Sequence, residues 1–147
     1  SFCTCNGSVR RSEFWSVGGF DNAFRGNAYG DDYDFAIRLA SRGAKVIYSP
    51  RPWLIHLQAP LGGLRLSDQR NPASRQDQVF SPLLFFFRHV TRGWFWHLFY
   101  RHVLRKTVLR RDNVINPVSH LLTWLALIQV APAARRASKR IPETPDA

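Results

Sequence analysis

Methionine is absent from this chain of 147 residues, cysteine occurs only twice, and ten acidic residues stand against twenty-one lysines and arginines. Each shortage excludes something. With Cys3 and Cys5 as its only cysteines, the chain is not a disulfide-stapled scaffold. Positions i and i+2 on an expected strand are badly placed for an unstrained mutual disulfide, and no second pair completes a zinc site. They read as reduced structural thiols in a cytosol-facing protein. A chain that opens on "SFCTCNGS" without a methionine is expected to be the tail of something longer. No basic, apolar and small-residue order marks a signal peptide. Long apolar runs are missing too. The longest, 117–131, is expected to end at Pro132. At about 1.5 Å per residue it would reach roughly 22 Å, short of a hydrocarbon core of roughly 30 Å. Asn116, Ser119, His120 and Thr123 share one of its faces, so it is expected to lie on a membrane or pack on a partner rather than span.

What is present is unevenly spread. A hydrophobic content of 45% is too high for a disordered chain, and the length suits one modest domain or part of a larger one. Of the net charge of +11, residues 1–60 carry +2 and residues 61–147 carry +9. The second half therefore favours an anionic membrane surface or a polyanion, while the first is close to neutral.

The first eleven residues, "SFCTCNGSVRR", read as a strand into a turn. Ser12 is expected to cap one short helical turn, 13–17, closed by Gly18-Gly19. A loop rich in Asn, Gly and aromatics leads to a helix from Asp31 or Asp32 to about Arg42, stopped by Gly43. Phe35, Ala36, Leu39 and Ala40 lie on its inner side, with Arg38 and Arg42 outside. Two strands are expected next: "AKVIYS", stopped by Pro50, and "WLIHL", with His56 opposite Trp53, Ile55 and Leu57. Residues 66–79 read as a polar loop. Residues 80–134 form aromatic-basic amphipathic helices, interrupted at Gly93, in which Trp96, Tyr100, Val103 and Thr107 follow helical spacing. The final helix opens at Pro117, and 135–147 is a flexible tail.

Three segments stand in a fixed order: "NGSVRRSEFWSVGGFD", "GNAYGDDYDFAIRLASRGAKVIYSP" and "WLIHLQAPLGGLR". Together they resemble the acceptor-side, C-terminal half of a family-2 glycosyltransferase of the GT-A fold, over about residues 5–65. The resemblance implies an α/β fold in 1–65, followed by the amphipathic helices. It places Asp31 and Asp32 on the family's Glu-Asp motif, with Asp32 as the catalytic base of an inverting transfer from a nucleotide sugar to a glycan or lipid-linked acceptor. Asn6, Arg10, Gly19, Phe20, Asp21 and Tyr29 fall on segments lining the acceptor side. His56 matches a histidine that helps to hold Mg²⁺ or Mn²⁺. The family's nucleotide-binding half, with its metal-binding Asp-x-Asp, has no counterpart here, so the isolated chain is expected to be inactive.

Elementary chemistry is consistent with these roles. A sugar hydroxyl is a poor nucleophile until a carboxylate takes its proton. The N-terminus of a helix favours negative charge, while the adjacent Asp31 opposes it. A divalent cation neutralises a departing diphosphate. Blander uses compete. Asp31 and Asp32 also suit helix capping, and Asp34 is expected to face solvent or to pair with Arg38. Arg65 suits a donor diphosphate or a solvated loop alike. Trp53, Trp94, Trp96 and Trp124 are expected as core or interface anchors. No nucleic-acid module is recognisable in the aromatic-basic region, which suits a membrane surface. The location implied is peripheral, on the cytoplasmic face of a bacterial inner membrane. A second class stands beside the enzyme: a non-catalytic basic module that binds a membrane surface or a partner.

Overall fold

The computed structural model describes residues 6–55, 72–140 and 142. Six α-helices occur among them: α1 Arg11–Ser16, α2 Asp31–Ser41, α3 Pro72–His89, α4 Phe95–Leu98, α5 Arg111–Ile115 and α6 Pro117–Ala137. A 3₁₀ turn at Arg92–Trp94 precedes α4, and a π-helical turn at Phe99–Val103 with a 3₁₀ turn at Leu104–Lys106 follows it.

No strand occurs among the described residues, and the expected α/β architecture is thereby overturned: this part of the chain is helical. Residues 44–49 and 53–55 have the β-prone composition, yet they carry no regular structure and lie open to solvent, with Ile47 85% and Tyr48 87% exposed. A β-prone segment becomes a strand only when a neighbour satisfies its backbone groups. None of the described residues supplies such a neighbour. Residues 1–5, where the first strand was expected, lie outside the described part.

The early helices form for local reasons. Gly18 and Gly19, at φ 74° and 66°, close α1 with their N–H groups on the Trp15 and Phe14 carbonyls. Arg10, not Ser12, is the N-cap of α1, and no side chain caps it. Gly43, at φ 84°, ends α2: its N–H reaches Ala40 O and that of Ala44 reaches Leu39 O, at 2.9 and 3.1 Å, the paired bonds of a Schellman stop. Phe35 and Leu39 are buried with Val17 in a small cluster that Phe14 and Ala44 flank. Ala40, expected inside, is exposed, and Arg38, expected outside, turns in toward Asp34.

The larger core lies between α3 and α6. Val79, Leu83, Leu84 and Phe86 of α3 are buried in one cluster with Ala126, Leu127 and Ala134 of α6 and with Val103 and Val108. Helix α3 begins inside the stretch expected as loop. Asn116 caps α6 by accepting the Ser119 N–H at 3.1 Å, with Pro117 in the first turn as expected. Pro132 does not end α6, which runs on to Ala137. One missing N–H is tolerated where neighbouring turns and tertiary packing hold the helix. At 21 residues, roughly 31 Å by the usual rise, α6 is long and apolar enough to cross a membrane, so the length argument against spanning falls. One of its faces is nonetheless committed to α3. The stripe expected through 96–107 breaks: Trp96 is 77% and Tyr100 54% exposed, while Val103 and Thr107 are buried. The π and 3₁₀ turns change the phase between the two pairs. All four tryptophans named above are exposed, so none is a core anchor.

Gly30 joins the two halves of the structure. It precedes α2 at φ 93°, and a Cβ there would stand 3.0 Å from the Phe85 ring on α3. Gly30→Ala is expected to lose about 1–3 kcal/mol from the left-handed conformation alone. Urea unfolding should show a lower midpoint at unchanged slope; an unchanged midpoint would contradict the close approach.

Candidate functional site

The mouth of α2 is built by a tight loop. Gly26 and Ala28, at φ 61° and 48°, bend the chain, and Asn27 Oδ1 accepts the Tyr29 N–H at 3.3 Å. Asp31 N then donates to Ala28 O at 3.1 Å, and α2 begins. The first N–H groups of a helix lack partners within it. Here the acids supply them: Asp31 Oδ1 accepts the Asp32 N–H at 2.6 Å, and Asp32 Oδ1 accepts the Tyr33 N–H at 2.9 Å. Both carboxylates are half-buried.

The third acid is used differently. Asp34 is fully buried, and three side chains converge on it. Arg38 Nε meets Oδ2 at 2.8 Å, while Arg88 Nη1 and His89 Nε2 meet Oδ1 at 3.0 and 2.8 Å. Burial alone would push this carboxyl up, but the His89 hydrogen bond and the Arg88 and Arg38 charges outweigh it and hold Asp34 below the ordinary aspartate value. Arg88 Nη1 also pairs with Asp21 Oδ2 at 2.7 Å, and Arg38 donates to the carbonyls of Val17 and Gly19. One knot therefore ties the α1 turn, α2 and the end of α3 together.

Several of the residues expected on the acceptor side make contacts in this knot or near it. Asp21, with Oδ1 also accepting the Ala23 N–H at 2.8 Å, is a structural partner of Arg88. The Gly19 carbonyl anchors Arg38, and the Phe20 ring packs on Phe35 with centroids 4.7 Å apart. Arg10 is an exposed cap, and Asn6 Nδ2 donates to the Pro52 carbonyl at 3.1 Å. Tyr29 belongs to the loop that leads into the acids. Its hydroxyl lies 3.0 Å from His102 Nδ1 and its ring 5.3 Å from Lys106 Nζ. Burial raises the Tyr29 phenol further above its ordinary value, helped by Tyr33. Burial, with Arg101, Lys106 and His97 nearby, lowers His102. Both are neutral at pH 7.

Arg88, His89 and His102 were not singled out by sequence reasoning. One signal was available: Arg88-His89 directly follows the apolar run 79–87, so a basic pair ends a buried segment. His56 and Arg65 lie outside the described residues, and among those described no three His, Cys, Asp or Glu side chains converge to hold an ion. Asp31 and Asp32 alone do not make the donor set of a Mg²⁺ or Mn²⁺ site.

Burial raises Asp31, with the Asp32 and Asp34 charges adding to it. A carboxyl raised on folding contributes stability below its unfolded pKa and loses it as pH rises through the folded value. Asp31→Asn keeps the acceptor oxygen and removes the charge. It is therefore expected to raise the thermal midpoint at pH 7 and to leave it unchanged near pH 3; a lowered midpoint at pH 7 would contradict this. No family model, curated protein or solved structure matches this chain.

Proposed function

We propose that the chain is the acceptor-side part of an inverting glycosyltransferase, acting on a nucleotide sugar and a glycan or lipid-linked acceptor. Asp32 takes the proton of an acceptor hydroxyl as that oxygen bonds to the anomeric carbon and the bond to the nucleoside diphosphate breaks. The division among three neighbouring acids carries the reading. Asp34 is closed off by Arg38, Arg88 and His89, whereas Asp31 and Asp32 stay half-exposed and accept only from N–H groups of their own helix. Tyr29 and Tyr33 flank them in sequence and offer aromatic surface of the kind sugars contact.

Attachment to the cytoplasmic face of a bacterial inner membrane is part of the proposal. Val118, Leu121, Leu125 and Ile128 are exposed at i, i+3 and i+4 spacing along α6, and Arg135, Arg136, Lys139 and Arg140 follow. The same surface favours a second reading, a non-catalytic basic module for a membrane or partner, and the absence of strands among the described residues weighs on that side. A transfer assay separates the two. With a donor-binding polypeptide joined ahead of Ser1, labelled sugar should pass from a nucleotide sugar to an acceptor. The isolated chain should neither transfer sugar nor bind nucleotide sugars at micromolar concentration. Failure of every donor, with vesicle binding retained, would leave the module.

A further inference from the structure

A cleft of about 690 Å³ opens beside α3, the turn ending at Lys106 and the start of α6, and Asn27 and Tyr29 of the loop before α2 also line it. Arg75, Arg105, Lys106 and Arg110 line it, and none of its lining residues is acidic. Four cations around one volume repel each other, and in a cleft the field they make is focused rather than dispersed. The lining also includes Val118 and Leu122, which are exposed and apolar. Two of the cations have defined seats. Arg75 donates to the Ser119 carbonyl at 3.4 Å, and Lys106 lies over the Tyr29 ring.

These features specify a ligand class. The guanidinium fork matches phosphate oxygens, and several arginines with a lysine recognise phosphate more strongly than a single cation would. The volume is that of a small organic molecule rather than a bare ion. Val118 and Leu122 suit a carbon skeleton attached to the phosphate. We propose that this cleft binds a phosphate- or diphosphate-bearing organic ligand, its phosphate held by Arg75, Arg105, Lys106 and Arg110. The ligand's source is either a soluble phosphate ester or a lipid headgroup. Val118 and Leu122 are exposed on the apolar face of α6, where an acyl chain would continue. The cleft shares Tyr29 with the sugar-transfer reading, but the proposal rests on the cations and is read by binding, not by transfer.

The test titrates the whole chain with pyrophosphate by calorimetry and, separately, with vesicles of phosphatidylcholine with and without phosphatidic acid. Arg105 and Lys106 are exposed, so Arg105→Gln/Lys106→Gln should fold as the parent does, which the thermal midpoint checks. A second pair, Arg42→Gln/Lys45→Gln, removes the same charge from exposed positions outside the cleft and away from the surface of α6. The first pair should weaken binding of the responding probe about tenfold or more, as loss of charged hydrogen bonds requires. The second should leave it near the parent's. Response to pyrophosphate identifies a soluble source, and response only to phosphatidic acid identifies a lipid. Equal losses in both pairs would reduce the cleft to general surface charge. No loss in the first pair, or no response to either probe, would overturn the site.

Discussion

Alanine at position 34 is expected to lower the stability of the fold by about 3–5 kcal/mol, the range for removing one partner of a buried ion pair. Asp34 is fully buried and answers Arg38, Arg88 and His89 at once, so its loss takes the shared carboxylate from two guanidiniums that are only 11% and 7% exposed. Asp21 would still hold Arg88 at 2.7 Å, which places the effect toward the lower end of that range. The pH dependence has a defined sign. Asp34 is held below its ordinary value of 3.8, so its contribution is complete above that value and is lost as pH falls through the lower, folded one. The thermal midpoint of the parent should therefore fall steeply below about pH 4, and Asp34→Asn should lack that component. An unfolding free energy within about 0.5 kcal/mol of the parent's for Asp34→Ala would contradict the knot.

Asp32→Asn is expected to reverse this pattern. In the transfer assay, with the donor-binding polypeptide in place, the rate should fall by about 10²–10⁴, the usual contribution of a general base. Stability should change by no more than about 0.5 kcal/mol, because the amide oxygen can still accept the Tyr33 N–H. The loss should appear in kcat and kcat/KM together, since proton removal occurs in the transition state. Full activity in Asp32→Asn would remove the base, and a large drop in stability would turn Asp32 into a cap.

The elements legible in the sequence are those with local causes. Helix α2 announces itself by its acids, its apolar spacing and Gly43, and the Asp34–Arg38 pair follows from four-residue spacing. The depth of that pair was not legible. Arg88 and His89 stand 54 and 55 residues further along the chain, and only the packing of α3 brings them to Asp34. The strands failed for a related reason. Val46, Ile47 and Tyr48 have the local preference, but pairing depends on a partner that composition does not specify. Pro132 misled in the opposite direction, since a breaker rule yields where α6 is already held against α3. Of the residues expected at the site, Asp31, Asp32 and Tyr29 adjoin one another at the mouth of α2, while Asp21 and the Gly19 carbonyl partner the arginines of the knot and the Phe20 ring packs on Phe35.

The division among the acids at the mouth of α2 is tested most directly by carboxyl ¹³C titration of the chain labelled at aspartate. Asp34 should titrate below the ordinary aspartate value and Asp31 above it, in the same sample. An Asp34 that titrates in the ordinary range, alongside an unshifted Asp31, would mean that no acid is sequestered and none set apart for chemistry.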